Sequence, residues 1–288
     1  MQTLQITSPA NPKIKHVVKL RQRPYRDEAR QMITEGYREI RRALDNGYKP
    51  EMLFFCEELY LRNENEAALV KDCADAGAEL FECSKIVFEK MAYRDRPDGL
   101  IAVGGFIVRP LETFTPPPNA LIVLAEAVEK PGNLGTILRT ADAAGAAAVI
   151  VCDKCTDIHN PNVVRASTGA LFSVPVIETE GPEALAWLRK NKFSILAATP
   201  HTEKLHFDVP MTGNIAIAFG AEQYGLTKLW MEAADLQVRI PMLGQADSLN
   251  VSAAATILLF EAVRQRIQAG HAVVPAHEHW HGEGAHDH

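Results

Sequence analysis

Long apolar runs are missing from this chain. No stretch approaches the roughly 18 apolar residues that a membrane-spanning helix needs, so no membrane partner is expected. The first residues, M-Q-T-L-Q-I-T-S-P, lack the basic start and apolar core of a secretory signal, and a cytoplasmic location is the expectation. Cysteines number only five, an odd count that argues against a disulfide framework. Cys152 and Cys155 form a single C-x-x-C with no second pair to complete a zinc site. They read as two thiols at the end of an apolar strand, and no metal is expected there. Phosphate-binding glycine loops are missing too: no G-x-G-x-x-G follows an apolar strand, and no G-x-x-x-x-G-K-[ST] occurs. That disfavours a dinucleotide enzyme and a nucleotide-hydrolysing one.

What is present is enough apolar residue, 47% of 288 positions, to fill two cores. The net charge of −6 opposes non-specific nucleic-acid binding by the whole molecule, but the charge is unevenly spread. Residues 1–30 carry seven basic side chains against two acidic ones. This basic helical arm, with Lys13, Lys15, Lys19 and Arg21 as candidate contacts, is a local footprint for phosphate, although such a run also suits a plain solvated helix face. Residues 8–30 read as one helix, and Ala29 to Tyr48 as a second that Gly47 stops. Residues 31–108 alternate short apolar runs with helical stretches, as a small α/β domain does. The proline-rich segment 109–119 is a stiff linker, so residues 1–108 are expected to be removable without unfolding the rest. Beyond it, apolar runs at 121–124, 147–151, 195–198, 215–219 and 236–240 are separated mostly by helices, which implies a parallel sheet covered on both faces. Residues 120–270 make up this second domain. The tail 271–288, with five histidines from His277 on, has no apolar periodicity and is expected to be disordered.

Ligands of such sheets bind beyond the C-terminal strand ends. Three polar clusters fall there. The first, E-K-P-G-N-L-G-T-I-L-R-T-A-D-A-A-G, follows the strand at 121–124; Asn133 can cap a helix, and Arg139 six residues on could simply pair with Asp142. The second, A-F-G-A-E-Q-Y-G-L-T, holds Gly220, Glu222 and Gly225, and its plainest reading is a tight strand-to-helix turn. The third, R-I-P-M-L-G-Q-A-D-S-L-N-V-S, places Asp247, Ser248 and Asn250 at the start of a long helix. One such residue suffices as an N-cap, so three suggest a site as well.

These strings, in this order, resemble the three signature motifs of the SpoU (TrmH-like) RNA 2′-O-methyltransferases, a branch of the SPOUT superfamily. The likeness covers roughly residues 120–268, and N-P-N-V-V-R-A-S-T-G-A-L-F between the motifs also fits. Residues 31–107 look like the substrate-binding domain often attached to this fold. The resemblance implies an α/β catalytic domain with a deep trefoil knot, whose loops bind S-adenosylmethionine through backbone groups around Gly220, Ile240, Met242 and Leu249, with Glu222 nearby. It implies methyl transfer to a ribose 2′-OH of ribosomal or transfer RNA, ribosomal favoured, with Arg139, Asn133, Glu222, Ser248 and Asn250 as the catalytic set and no metal. It also implies a homodimer across the C-terminal helix. That helix is apolar at Ile257, Leu258, Phe260 and Ile267, on more than one side. A non-catalytic RNA-binding protein on the same fold is the alternative.

Overall fold

The computed structural model describes residues 3–62 and 64–270, arranged as two α/β units each built on one sheet. The His-rich tail lies outside the described residues.

The first unit contains β1 (Leu4–Ile6), α1 (Pro12–Lys19), α2 (Arg23–Ala29), β2 (Gln31–Glu35) and α3 (Tyr37–Asp45). It continues with β3 (Met52–Phe55), α4 (Glu64–Asp75), β4 (Glu79–Cys83), α5 (Lys85–Met91) and β5 (Leu100–Gly105). Its sheet runs β1-β4-β3-β5-β2, parallel at β1–β4 and β4–β3 and antiparallel at β3–β5 and β5–β2. Alternation along the strands loads both faces. Phe54, Phe81, Ile101 and Val103 pack with α1 and α5, while Leu53, Leu80, Leu100 and Ala102 pack with α3 and α4.

Two expectations fail here. The basic segment is not a free arm: β1 pairs with β4, and Ile14, Val17 and Leu20 are fully buried in the first core. Nor do residues 29–48 form one helix. Arg30 is left-handed (φ 53), residues 31–35 form a strand antiparallel to β5, and only then does α3 begin. Ile33, Tyr37, Ile40 and Leu44 carry helical spacing across that break, which is why the pattern misleads. Gly36, at φ 109, makes the corner; a Cβ there would meet Glu39 and Arg94 at 2.5 and 2.6 Å.

The second unit holds β6 (Leu121–Glu126), α6 (Pro131–Ala143), β7 (Ala148–Cys152), α7 (Pro161–Ala166), α8 (Ala170–Ser173) and β8 (Val176–Thr179). Then come α9 (Gly181–Lys190), β9 (Ser194–Ala198), β10 (Ile215–Phe219), α10 (Lys228–Ala233), β11 (Leu236–Val238) and α11 (Val251–Gln268). All six strands are parallel, in the order β11-β9-β10-β6-β7-β8. Leu121, Val123 and Ala125 point to the side covered by α6 and α11, and Ile122 and Leu124 to the side covered by α9 and α10. This is the two-sided burial that continuous apolar strands require. Among the described residues no helix is long and apolar enough to cross a membrane, and no His/Cys/Asp/Glu group could hold a metal. Cys152 is buried, Cys155 is exposed, and both are free thiols.

The units are joined by more than the linker. Met32 and Ala43 of the first unit belong to the core of the second, and Tyr48 packs on Phe172 at 5.0 Å between ring centroids. Arg26 of α2 is 1% exposed and donates to one Asp157 carboxylate oxygen from Nε (3.1 Å) and Nη2 (2.6 Å). Asp157 also accepts from the His159 backbone N–H at 2.8 Å, and His159 stacks on Phe106. Burial alone would push the Asp157 carboxyl up; hydrogen bonds from His159 and Arg26 outweigh it and hold the group well below the usual carboxylate range. The expectation that residues 1–108 come away cleanly therefore fails, since removal would strand a buried carboxylate and bare an apolar face.

Candidate active site

Three strand-to-helix connections meet at the C-terminal edge of the second sheet. β6 leads into α6, whose N-cap is Lys130 followed by Pro131, a residue pre-set for the first helical position. Asn133 is therefore in the first turn, not at the cap as the motif suggested. β10 leads into a turn closed by the Gly225 N–H donating to the Ala221 carbonyl at 2.8 Å. A Cβ on Gly220 would lie 2.1 Å from the Gly225 carbonyl carbon, so the turn admits only glycine there. Glu126, buried at the end of β6, anchors the other side of this turn by accepting from the Thr227 N–H (2.7 Å) and hydroxyl (2.6 Å). β11 leads into the loop 239–250, and Asn250 caps α11 by accepting from the Ser252 N–H at 2.9 Å.

The polar side chains of these connections form one directed chain. The Glu222 carboxylate accepts from the Lys130 ammonium and from the Asn133 side-chain amide. The Asn133 oxygen accepts from the Asn250 amide at 3.2 Å, and the Asn250 oxygen is taken by the backbone and hydroxyl of Ser252. Each amide's orientation is thereby set by its neighbours. The Glu222 hydrogen bond raises the Lys130 ammonium above its ordinary range. Asn133, Glu222 and Asn250 are thus brought together across 117 residues.

The remaining candidates stand apart from that chain. Among the described residues Ser248 bonds only to Asp247, at 3.4 Å. Arg139 sits about 9 Å further along the α6 axis than Asn133. It is exposed and has no hydrogen bond or ion pair among the described residues. It does not pair with Asp142, which instead accepts from the Ser173 hydroxyl at 2.6 Å. Ile240 and Met242 are half-buried, and Leu249 is 40% exposed. Among the described residues the backbone groups of 240–249 make no hydrogen bonds to the rest of the chain. That leaves N–H donors and carbonyl acceptors open along a loop beside the cluster, a donor set that fits an adenine and a ribose held by backbone groups.

Of the four basic candidates, Arg21 is committed elsewhere: its Nη2 donates to the carbonyls of Lys90, Met91 and Ala92 (3.1, 2.7 and 2.7 Å), closing the C-terminus of α5. Lys13 pairs with Glu79 at 2.9 Å and lies over Phe81. Lys15 is exposed, and Lys19 is exposed beside the Tyr25 ring. Sequence reasoning passed over Lys130 and Glu126. Lys130 was legible as a cation just before a helix-starting proline in the first motif, whereas nothing local marks Glu126 as buried.

This fold, with glycine-tight turns and an Asn–Glu–Asn chain at the ends of a fully parallel sheet, defines an α/β protein whose ligand site lies beyond the C-terminal strand ends. The family model described as the SpoU rRNA Methylase family matches residues 120–260, and the MRM3-like substrate binding domain matches residues 11–102. The chain is 30% identical over 256 residues to the 23S rRNA (uridine(2479)-2'-O)-methyltransferase of Streptomyces viridochromogenes, covering 87% of this chain and 88% of that one. A solved RNA 2'-O ribose methyltransferase is 44% identical, with a TM-score of 0.80, across 92% of this chain and all of the other. An AdoMet-bound rRNA methyltransferase from Sinorhizobium meliloti is 30% identical with a TM-score of 0.84, over 92% of this chain and 98% of that one. The chain belongs to the SpoU family.

Proposed function

We propose that this protein transfers a methyl group from S-adenosylmethionine to a ribose 2′-OH of ribosomal RNA. One observation carries the reading: Asn133, Glu222 and Asn250, from three separate strand ends, form a single hydrogen-bonded chain beside a loop with an open backbone. The relative from Streptomyces viridochromogenes is named for 2'-O transfer to 23S rRNA, and the Sinorhizobium meliloti enzyme was solved with AdoMet. Both support the same substrates here.

S-adenosylmethionine, when bound, supplies an electrophilic methyl on a sulfonium. The backbone of 240–249, around Ile240, Met242 and Leu249, would hold its adenosine together with the backbone at Gly220. The Glu222–Asn133–Asn250 chain orients the ribose by hydrogen bonds, and Ser248 adds a hydroxyl at its rim. Arg139 grips an RNA phosphate bidentately and stabilises the alkoxide that develops as the 2′-OH gives its proton to solvent water, the O–CH3 bond forming as the S–CH3 bond breaks and S-adenosylhomocysteine leaves. A guanidinium with pKa above about 12 is too costly to deprotonate for a general-base role at neutral pH. Holding oxygen and methyl in line supplies much of the acceleration.

The protein acts as a two-fold dimer across α11, whose Ile257, Phe260 and Ile267 are exposed although its other side is buried in the second core. Incubation with methyl-labelled S-adenosylmethionine and ribosomal RNA tests the function. The expected result is label on a 2′-O-methylated nucleoside after digestion; label on a base, or none, overturns it.

A further inference from the structure

Tyr93 follows α5 on a turn that is held unusually firmly for a surface segment. Its N–H donates to one Glu35 carboxylate oxygen at 2.7 Å, and the Arg94 N–H to the other at 3.2 Å. The Arg94 guanidinium reaches back to the Glu35 carbonyl (2.9 Å) and to the buried Glu39 carboxylate (2.8 Å). A charged network of this kind fixes a backbone, yet the ring it presents is 40% exposed. The ring does not serve either core. Its hydroxyl accepts from the Asn162 side chain at 2.7 Å, across the seam between the two units.

Two guanidiniums flank this ring. Arg21 lies 5.9 Å from its centroid, immobilised by three carbonyls. Arg165, from α7 of the second unit, lies 6.0 Å away; it is exposed and has no hydrogen bond or ion pair among the described residues. Both guanidiniums lie at the outer limit of a cation–π contact, and the 40% exposure of Tyr93 leaves part of its surface open. Tyr93 and Arg165 line a common small pocket with Pro161 and Val164. Arg165 belongs to the N-P-N-V-V-R-A-S-T-G segment, whose other polar members have local structural uses: Asn160 caps α7, and the buried Ser167 hydroxyl bonds the Val164 carbonyl. Among the described residues the Arg165 guanidinium contacts only the Tyr93 ring.

An exposed aromatic face beside an uncommitted guanidinium matches an unstacked nucleotide, base on the ring and phosphate on the cation. A duplex, whose bases are stacked on each other, offers no free face. We propose that Tyr93 and Arg165 form a subsite at the seam for one nucleotide of single-stranded RNA flanking the methylated residue. The proposal rests on the RNA reading above.

The test is fluorescence anisotropy with a labelled single-stranded oligoribonucleotide and with the same strand in a duplex, over a salt series. Tyr93→Ala should weaken single-strand binding roughly tenfold and leave duplex binding unchanged, within the range for loss of one stacked base. Tyr93→Phe and Tyr93→Trp should bind like the parent. Arg165→Ala should weaken binding and reduce the salt slope by about 0.7, the value of one phosphate on a single strand, while Tyr93→Ala leaves that slope unaltered. Parental affinity in Tyr93→Ala overturns the subsite. So does a Tyr93→Phe as weak as Tyr93→Ala, because the ring would then matter only through its bond to Asn162. Methyl transfer by the parent protein, measured alongside, reports separately on the reading beneath.

Discussion

A guanidinium that is exposed and makes no hydrogen bond or ion pair among the described residues, on the helix that carries the first motif, is free to meet an RNA phosphate. Arg139 is such a group. Arg139→Ala is expected to abolish methyl transfer while S-adenosylmethionine affinity, measured by calorimetry, stays near the parental value, because the residue lies off the Glu222 chain. Arg139→Lys should rescue poorly, since the ammonium keeps the charge but loses the planar fork; near-parental turnover by the lysine variant would remove the bidentate role. Asn250→Ala differs in kind. It removes the amide proposed to orient the ribose and also the cap of α11, costing about 1 kcal/mol of stability on top of any lost activity. That polar residues gather at the strand ends was readable from the sequence, because they keep their spacing whatever surrounds them. Their connections were not: the bond from Asn250 to Asn133 spans 117 residues, and no local pattern announces it.

At the scale of elements, the basic N-terminal helices combine two jobs that sequence alone merges into one charge run. Arg26 holds the units together, and Arg21 closes α5. Arg26→Met leaves Asp157 buried and unpaired, and the expected loss is about 3–5 kcal/mol, read from the urea midpoint. Because the Asp157 carboxyl is held below its ordinary range in the folded state, its contribution is present above the unfolded value of about 4 and fades as pH falls below it. The gap between parent and variant should therefore narrow on acidification below about pH 4; a gap that widens would contradict the ion pair. Lys15 and Lys19 are the positions left to meet phosphate. Replacing both with Gln should lower RNA affinity and flatten its salt dependence without moving the urea midpoint, and an unchanged slope would make them plain solvated charges. The parallel strands of the second unit were legible because burial on both faces writes a continuous apolar run. β2 was not, because Ile33, Tyr37, Ile40 and Leu44 keep a helical period straight through the Gly36 corner.

At the scale of the molecule, the proposed dimer rests on the outer face of α11. Leu258, Leu259 and Ala262 fill the second core, while Phe260 remains 45% exposed on a helix that also packs against α6. A helix apolar on two sides needs two partners, and the first unit of the same chain docks on α7 and α8 instead. Light scattering at micromolar concentration should give the mass of a dimer. Phe260→Glu should give a monomer that is still folded, because the substituted side chain leaves the core untouched; a parental monomer would refute the assembly. Whether the proposed dimer shares its clefts is tested by mixing variants. Asn133, Glu222 and Asn250 are bonded within one chain, so mixing inactive Glu222→Ala and Asn250→Ala proteins should restore nothing. Arg139 lies outside that chain and is free to serve the neighbouring cleft. Mixed Arg139→Ala and Asn250→Ala proteins should then recover transfer in one of the two clefts of each heterodimer. Recovery in the first mixture would show that the Asn–Glu–Asn chain crosses the dimer axis, and none in the second would confine Arg139 to its own protomer.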